Sequence, residues 1–80
     1  MKENILIELF TAFVNACQSS GVEPNWFNFG IHTDSLEFYT AKEHDQFEFH
    51  GNMGRVCTKE QDIIDFVSSV KAQNEYWKGK

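Results

Sequence analysis

The sequence predicts an α+β two-layer sandwich: a helix, a three-stranded antiparallel meander and a second helix, with both helices on one face of the sheet (αβββα). Two observations lead to this prediction. Apolar side chains recur every three or four residues near both ends of the chain, which is typical of amphipathic helices. Between them, three short runs alternate apolar with polar residues, which is typical of half-buried antiparallel strands. With 80 residues in all, the chain (1–80) is expected to form one domain.

The first helix is predicted over residues 1–20. Gly21 stands where a left-handed residue ends a helix, and Pro24 prevents its continuation. The apolar stripe is wider than one sheet contact needs, so we expect it to pack on the second helix as well; a dimer contact at the edge formed by Ile7 and Val14 is the alternative. The stripe consists of Ile5, Leu6, Leu9, Phe10, Ala12, Phe13, Val14, Ala16 and Cys17.

Three strands are predicted between Trp26 and Gly51. If Thr33 and Asp34 form the first turn, a common buried face results from the pairs Ile31–Leu36, Phe29–Phe38 and Phe27–Thr40. If residues 42–45 form the second turn, Phe49 lies opposite Phe38 and Phe47 opposite Thr40 on the same face. The same register places Glu37 opposite His50 and Tyr39 opposite Glu48 on the other face.

The second helix is predicted to begin at Thr58, where Gln61 completes a capping box. The preceding segment 51–57 contains two glycines and is expected to be a loop, with a short extension of the third strand as the alternative. The buried face of this helix is expected to contain Ile63, Phe66, Val67, Val70 and Trp77.

The charge distribution disfavours direct binding to nucleic acids. Twelve acidic residues face seven basic ones, for a net charge of −5, and neither Lys nor Arg occurs between Lys2 and Lys42. Binding of a phosphate backbone needs clustered cations. The predicted element order resembles that of double-stranded-RNA-binding domains, whose second helix begins with a lysine cluster. Here that position contains Lys59, which is followed by the acidic residues Glu60 and Asp62. We therefore do not transfer the function.

Composition and cysteine usage predict a cytoplasmic protein. The chain lacks an apolar run of the roughly 20 residues that span a bilayer, and its amino-terminal segment lacks a small-residue cleavage site, so we expect neither a membrane association nor a secretory signal. The two cysteines, Cys17 and Cys57, are expected to be reduced and buried, because they are isolated and lack a metal-ligand spacing.

The polar face of the predicted sheet is the candidate functional surface. Aromatic side chains among acids on a rigid sheet favour protein recognition, and the negative charge favours a basic partner. We therefore expect a non-catalytic protein-binding module, in the form of an inhibitor or nucleic-acid mimic whose carboxylates stand where phosphates would. The expected contact residues are Trp26, Asn28, Asp34, Glu37, Tyr39, Glu43, Asp45, Glu48 and His50.

Two alternatives remain open from the sequence. His32, His50, Glu37 and Glu48 share the polar face and include the ligand types that zinc prefers, although their spacing is not that of a metal motif, and we expect no metal or other cofactor. The other alternative is a homodimer formed through the first helix. We expect no enzymatic activity, because none of the serines or cysteines lies in a nucleophile motif.

Overall fold

The computed structural model describes residues 2–40 and 53–78, with side chains described from Ile5 onward. The elements are α1 (Lys2–Ser20), a 3₁₀ turn (Pro24–Trp26), β1 (Phe27–Ile31), β2 (Leu36–Thr40), β3 (Gly54–Cys57) and α2 (Glu60–Lys78). The strands form an antiparallel sheet in the order β1-β2-β3. The predicted αβββα order is confirmed.

The first helix ends as its sequence predicts. Gly21 has a φ of +74°, the left-handed conformation that costs glycine little. The N–H of Val22 donates to the carbonyl oxygen of Cys17 at 3.1 Å, closing the wide turn of a Schellman motif. Val22 and Cys17 are both buried, so the apolar contact that accompanies this motif joins the end of α1 to the core.

The pairing of β1 with β2 confirms the predicted register. Phe27 lies opposite Thr40, Phe29 opposite Phe38, and Ile31 opposite Leu36. The N–H of His32 donates to the carbonyl oxygen of Ser35 at 3.0 Å and closes the connection between the strands. Apolar alternation on both strands was sufficient to specify this register, because a slip by one residue would exchange the two faces.

The third strand differs from the prediction. The partner of β2 is Gly54–Cys57, so Phe38 lies opposite Arg55 and Leu36 opposite Cys57. The predicted pairing of Phe38 with Phe49 is therefore wrong, and residues 46–50 lie outside the described part of the chain. Thr40 fixes the start of this ladder: its N–H donates to the Met53 carbonyl oxygen at 2.9 Å, and its Oγ1 accepts from the Met53 N–H at 3.1 Å.

Both helices pack on one face of the sheet, as predicted. Phe13 of α1 stacks on Phe38 with ring centroids 4.6 Å apart and meets Phe27 edge-on at 5.2 Å. Phe66 of α2 approaches the same two rings, at 5.7 Å from Phe27 and 6.4 Å from Phe38. We call this side of the sheet the helix face; it contains Phe27, Phe29, Ile31, Leu36, Phe38, Thr40, Arg55 and Cys57.

The second helix begins at Glu60, and its cap differs from the predicted pair of Thr58 and Gln61. Asp62 Oδ2 accepts the N–H of Thr58 at 3.1 Å and its hydroxyl at 3.3 Å, whereas Gln61 Nε2 donates to Asp65 Oδ1 at 2.9 Å. The hydrogen bond from the Thr58 N–H lowers the pKa of Asp62. A carboxylate in the first turn also suits the helix dipole. The side chain that caps the helix is therefore that of Asp62, one residue after the predicted Gln61.

The buried face of α2 largely follows the prediction. The side chains of Ile63, Phe66, Val67 and Val70 are buried, whereas Trp77 is only half-buried. Near this end of the helix the buried side chain is that of Asn74, one helical turn after Val70. The period of the helix thus continues through a polar residue that apolar patterning alone does not detect.

Candidate protein-binding site

The second face of the sheet has no helix packed on it within the described residues. We call it the open face, and the strand register assigns to it Asn28, Gly30, Glu37, Tyr39, Gly54 and Val56. The helices account for the other face through the phenylalanine contacts described above. The open face is therefore a regular surface that the described fold leaves available to another molecule.

Tyr39 and Val56 form the apolar part of the open face. Tyr39 is 42 % exposed and Val56 is 52 % exposed, and they stand on adjacent strands. Gly54 lies directly opposite Tyr39, so this position lacks a side chain that would cover the ring. A tyrosine offers a large rigid contact area together with a hydroxyl group, which suits the centre of a protein interface.

The carboxylate of Glu37 lies on the same face as Tyr39 and Val56. His32 Nε2 and Glu37 Oε1 lie 3.1 Å apart, and both side chains are about half exposed. The contact is a hydrogen bond in the tautomer that has its proton on Nε2, because a carboxylate oxygen is the acceptor. Gly30 lies opposite Glu37, and a Cβ atom placed there would be 3.9 Å from Oε1. Glu37 is therefore oriented by His32 and stays accessible.

The structure brings together only part of the predicted contact set. Asn28, Glu37 and Tyr39 lie on the open face, and Asp34 is exposed in the turn between β1 and β2. Opposite Glu37 stands Val56 instead of the predicted His50, and opposite Tyr39 stands Gly54 instead of Glu48. The remaining predicted contacts lie outside the described residues: Glu43, Asp45, Glu48 and His50.

Trp26 is the predicted contact residue that the structure places elsewhere. It belongs to the 3₁₀ turn that begins at Pro24, and it is only 6 % exposed. The expected continuation of β1 through Trp26 fails because the turn changes the direction of the chain before the strand begins. Its ring contributes to the core, so the placement of Trp26 on the open face is wrong.

Val56 is the exposed residue that the sequence analysis missed. It lies in the segment 51–57, which was predicted as a loop because two glycines occur there, with a short extension of the third strand as the alternative. The available signal was the short alternation of Arg55, Val56 and Cys57, in which the buried cysteine marks the core side. That run is too short to compete with the stronger alternation around Phe47 and Phe49.

The described residues do not assemble a metal-binding cluster. Groups of three or more His, Cys, Asp or Glu side chains at ligand distances are absent from residues 5–40 and 53–78. Of the four predicted ligands, His32 and Glu37 lie next to each other in the structure. The other two, Glu48 and His50, lie outside the described part of the chain.

The cysteines are buried and free in the described structure. Cys17 and Cys57 have no exposed surface, and neither forms a disulfide. Burial raises the pKa of each thiol from 9.0 to about 11, with a smaller contribution from Glu23 at Cys17 and from Asp62 at Cys57. A thiol with such a pKa contains very little of the reactive thiolate near neutral pH.

Comparison with known proteins gives no relative from which a function could be carried over. No protein-family model, no curated protein and no solved structure matches the chain. Among the described residues, neither helix combines the length and apolarity needed for crossing a bilayer.

Proposed function

We propose that this protein is a cytoplasmic, non-catalytic binding module whose open face engages a basic surface of another protein. The observation that carries the proposal is the uncovered sheet face on which Tyr39 and Val56 are exposed beside the accessible Glu37 carboxylate. A rigid sheet holds this combination without further ordering, which limits the entropy lost on binding.

The charge of the chain supports a basic partner. The net charge of −5 steers cationic surfaces toward the protein, and Asp34 and Glu37 lie at the end of the open face near the β1–β2 turn. A partner that normally binds nucleic acid offers such a surface. Carboxylates on the open face would then occupy the positions of phosphates, and the protein would act as an inhibitor or nucleic-acid mimic.

The free thiols support the proposed compartment. Cys17 and Cys57 are buried as thiols, and reduced cysteines are the usual state in the cytosol.

The test is an affinity capture in which the immobilised protein is exposed to a lysate of its source cells. We expect the wild type to retain a basic protein that duplex DNA releases, because the two ligands compete for one cationic surface. The variant Glu37→Lys/Tyr39→Ala should retain at least about tenfold less, since the central aromatic contact and one attractive charge are lost together.

The matched control is Glu75→Lys/Tyr76→Ala, which makes the same two changes at exposed positions on α2. This control should capture as much partner as the wild type, with circular dichroism confirming that all three proteins are folded. Equal capture by the open-face variant and the control would disprove the role of the open face. Release by salt but not by DNA would disprove nucleic-acid mimicry and leave protein binding intact.

A further inference from the structure

A second exposed surface lies on the other side of the sheet, where α1 meets the outer edge of β1. Ile7, Phe10, Phe29 and Ile31 are between 41 % and 66 % exposed there. We call these four residues the α1–β1 patch. The patch belongs to a groove of about 290 Å³ whose walls are Leu6, Ile7, Phe10, Thr11, Phe29, Ile31 and Leu36. Phe29 and Ile31 are on the helix face, but α1 covers them only partly.

The backbone of β1 is available for pairing along the same edge. Within the described residues, β1 is a terminal strand of the sheet. The hydrogen bond from His32 to Ser35 fixes the alternation of the ladder, so Asn28 and Gly30 bond to β2 while Phe29 and Ile31 direct their N–H and C=O groups outward. The free edge and the α1–β1 patch are therefore continuous.

This edge has none of the usual features that prevent strand addition. Natural sheets protect free edges with charges, prolines or bulges, and β1 reads Phe-Asn-Phe-Gly-Ile without any of them. The other terminal strand, β3, has Arg55 at its centre on the helix face. The guanidinium carbon of Arg55 lies 5.9 Å from the centre of the Phe66 ring. The two edges of this sheet therefore differ in their capacity to accept another strand.

A second copy of this chain fits this surface, because an antiparallel β1 edge can pair with itself and the neutral groove beside it does not add to the repulsion between two acidic chains. Two chains with a net charge of −5 repel each other wherever their acids approach, so an uncharged surface favours their association. None of the residues that line the groove is charged. A basic partner would gain no electrostatic attraction at such a surface.

We propose that two copies pair through antiparallel β1 strands, with the two-fold axis passing beside Gly30. In this register Phe29 of each copy lies opposite Ile31 of the other, and all outward backbone groups of these residues are hydrogen-bonded. The N–H of Phe27 is not needed, which is consistent with its hydrogen bond to the Pro24 carbonyl oxygen. The sheet becomes six-stranded, and the α1–β1 patches of the two copies cover each other.

The first test measures the molar mass by light scattering between about 10 µM and about 1 mM protein, a range that detects weak dimers. We expect a dimer for the wild type and an increase of the dissociation constant by at least about a hundredfold for Ile31→Lys, because two-fold symmetry introduces the lysine twice. Val56→Lys is the matched control: it adds the same charge at a comparably exposed strand position on the open face, and it should remain dimeric.

The second test examines the register by disulfide crosslinking with oxidised glutathione. Directly opposed residues of a non-hydrogen-bonded antiparallel pair have Cα atoms about 4.5 Å apart, within the range that a disulfide spans. Gly30→Cys should therefore form a covalent dimer. Asn28→Cys, on the same strand and face, should not, because its two copies would be about 14 Å apart in this register.

The native cysteines do not interfere, since both are buried. A wild type that stays monomeric at the highest concentration, or an Ile31→Lys variant that dimerises normally, would overturn the proposal. Equal crosslinking of the two cysteine variants would overturn the strand pairing even if a dimer forms. These readouts do not involve a basic partner, so they are independent of the proposed function.

Discussion

At the scale of single residues, the fold clearly changes the acidity of the two buried thiols. Burial raises the pKa of Cys17 and Cys57 from 9.0 to about 11. A raised pKa in the folded state means that the unfolded chain loses these protons first. The stabilisation from the neutral thiols is therefore complete below pH 9 and decreases as the pH rises toward 11.

We predict that the free energy of unfolding falls between pH 9 and pH 11 by up to about 2 kcal/mol for each thiol. Urea unfolding at several pH values in this interval measures the fall. The variant Cys17→Ala/Cys57→Ala is expected to be less stable at pH 8 because of the cavities it creates, but to show a clearly smaller alkaline loss. An identical slope in the variant would assign the loss to other groups, such as tyrosines and lysines.

Single residues also show where prediction from sequence stops. The sheet face of Glu37 and Tyr39 was predicted correctly, because alternation within β2 assigns both residues to the polar face. Trp26 was assigned wrongly, since alternation cannot distinguish the first residue of a strand from the last residue of a preceding turn. Val56 was missed because its neighbours on β3 offer too few apolar positions to define a period.

At the scale of elements, the end of α1 depends on one backbone conformation. Gly21 has a φ of +74°, and a Cβ atom at this position would meet nothing within 4 Å. A substitution there is therefore strained only in the backbone, which makes the position a clean test of the left-handed cap.

We predict that Gly21→Ala lowers the free energy of unfolding by about 1 kcal/mol, and that Gly21→Asn costs less because asparagine tolerates the left-handed region. Thermal or urea unfolding monitored by circular dichroism gives both values. Gln18→Ala, an exposed change within the same helix, should alter stability by no more than about 0.5 kcal/mol. A Gly21→Asn variant less stable than Gly21→Ala would contradict the explanation.

The elements differ in how well their sequences specify them. Both helices and the β1–β2 hairpin were predicted with nearly the observed bounds, because each has an apolar period that extends over the whole element. The third strand was assigned to residues 46–50, where two phenylalanines alternate with polar residues, whereas β2 pairs with Gly54–Cys57. Local alternation identifies segments that suit a strand, but tertiary contacts decide which segment pairs.

At the scale of the whole molecule, Phe38 joins all layers of the core. It has no exposed surface, stacks on Phe13 of α1 and lies near Phe66 of α2. Its truncation therefore weakens both helix–sheet contacts at the same time. A loss of this kind should be visible as one cooperative change, independent of whether helix or tertiary structure is monitored.

We predict that Phe38→Leu lowers the free energy of unfolding by about 1–2 kcal/mol, and that Phe38→Ala leaves the protein largely unfolded, because a loss of about 3–5 kcal/mol approaches the whole stability of a domain this small. Circular dichroism and tryptophan fluorescence should give coincident urea transitions for Phe38→Leu. Ile64→Ala, at an exposed position on α2, is the control and should cost less than about 0.5 kcal/mol. Separate transitions for the two probes would show that the layers unfold independently.

Arg55 has a consequence for how far the sheet can grow. A strand added beside β3 would have to desolvate the guanidinium group above Phe66, which is costly without a carboxylate partner. In the proposed pair, both outer edges of the common sheet, as far as the structure describes it, would be β3 edges, which disfavour the addition of a third copy. Proteins with two receptive edges elongate into fibres. In the proposed pair, Arg55 would therefore keep the assembly finite, and exchanging it for an apolar residue would favour a chain that lengthens with concentration.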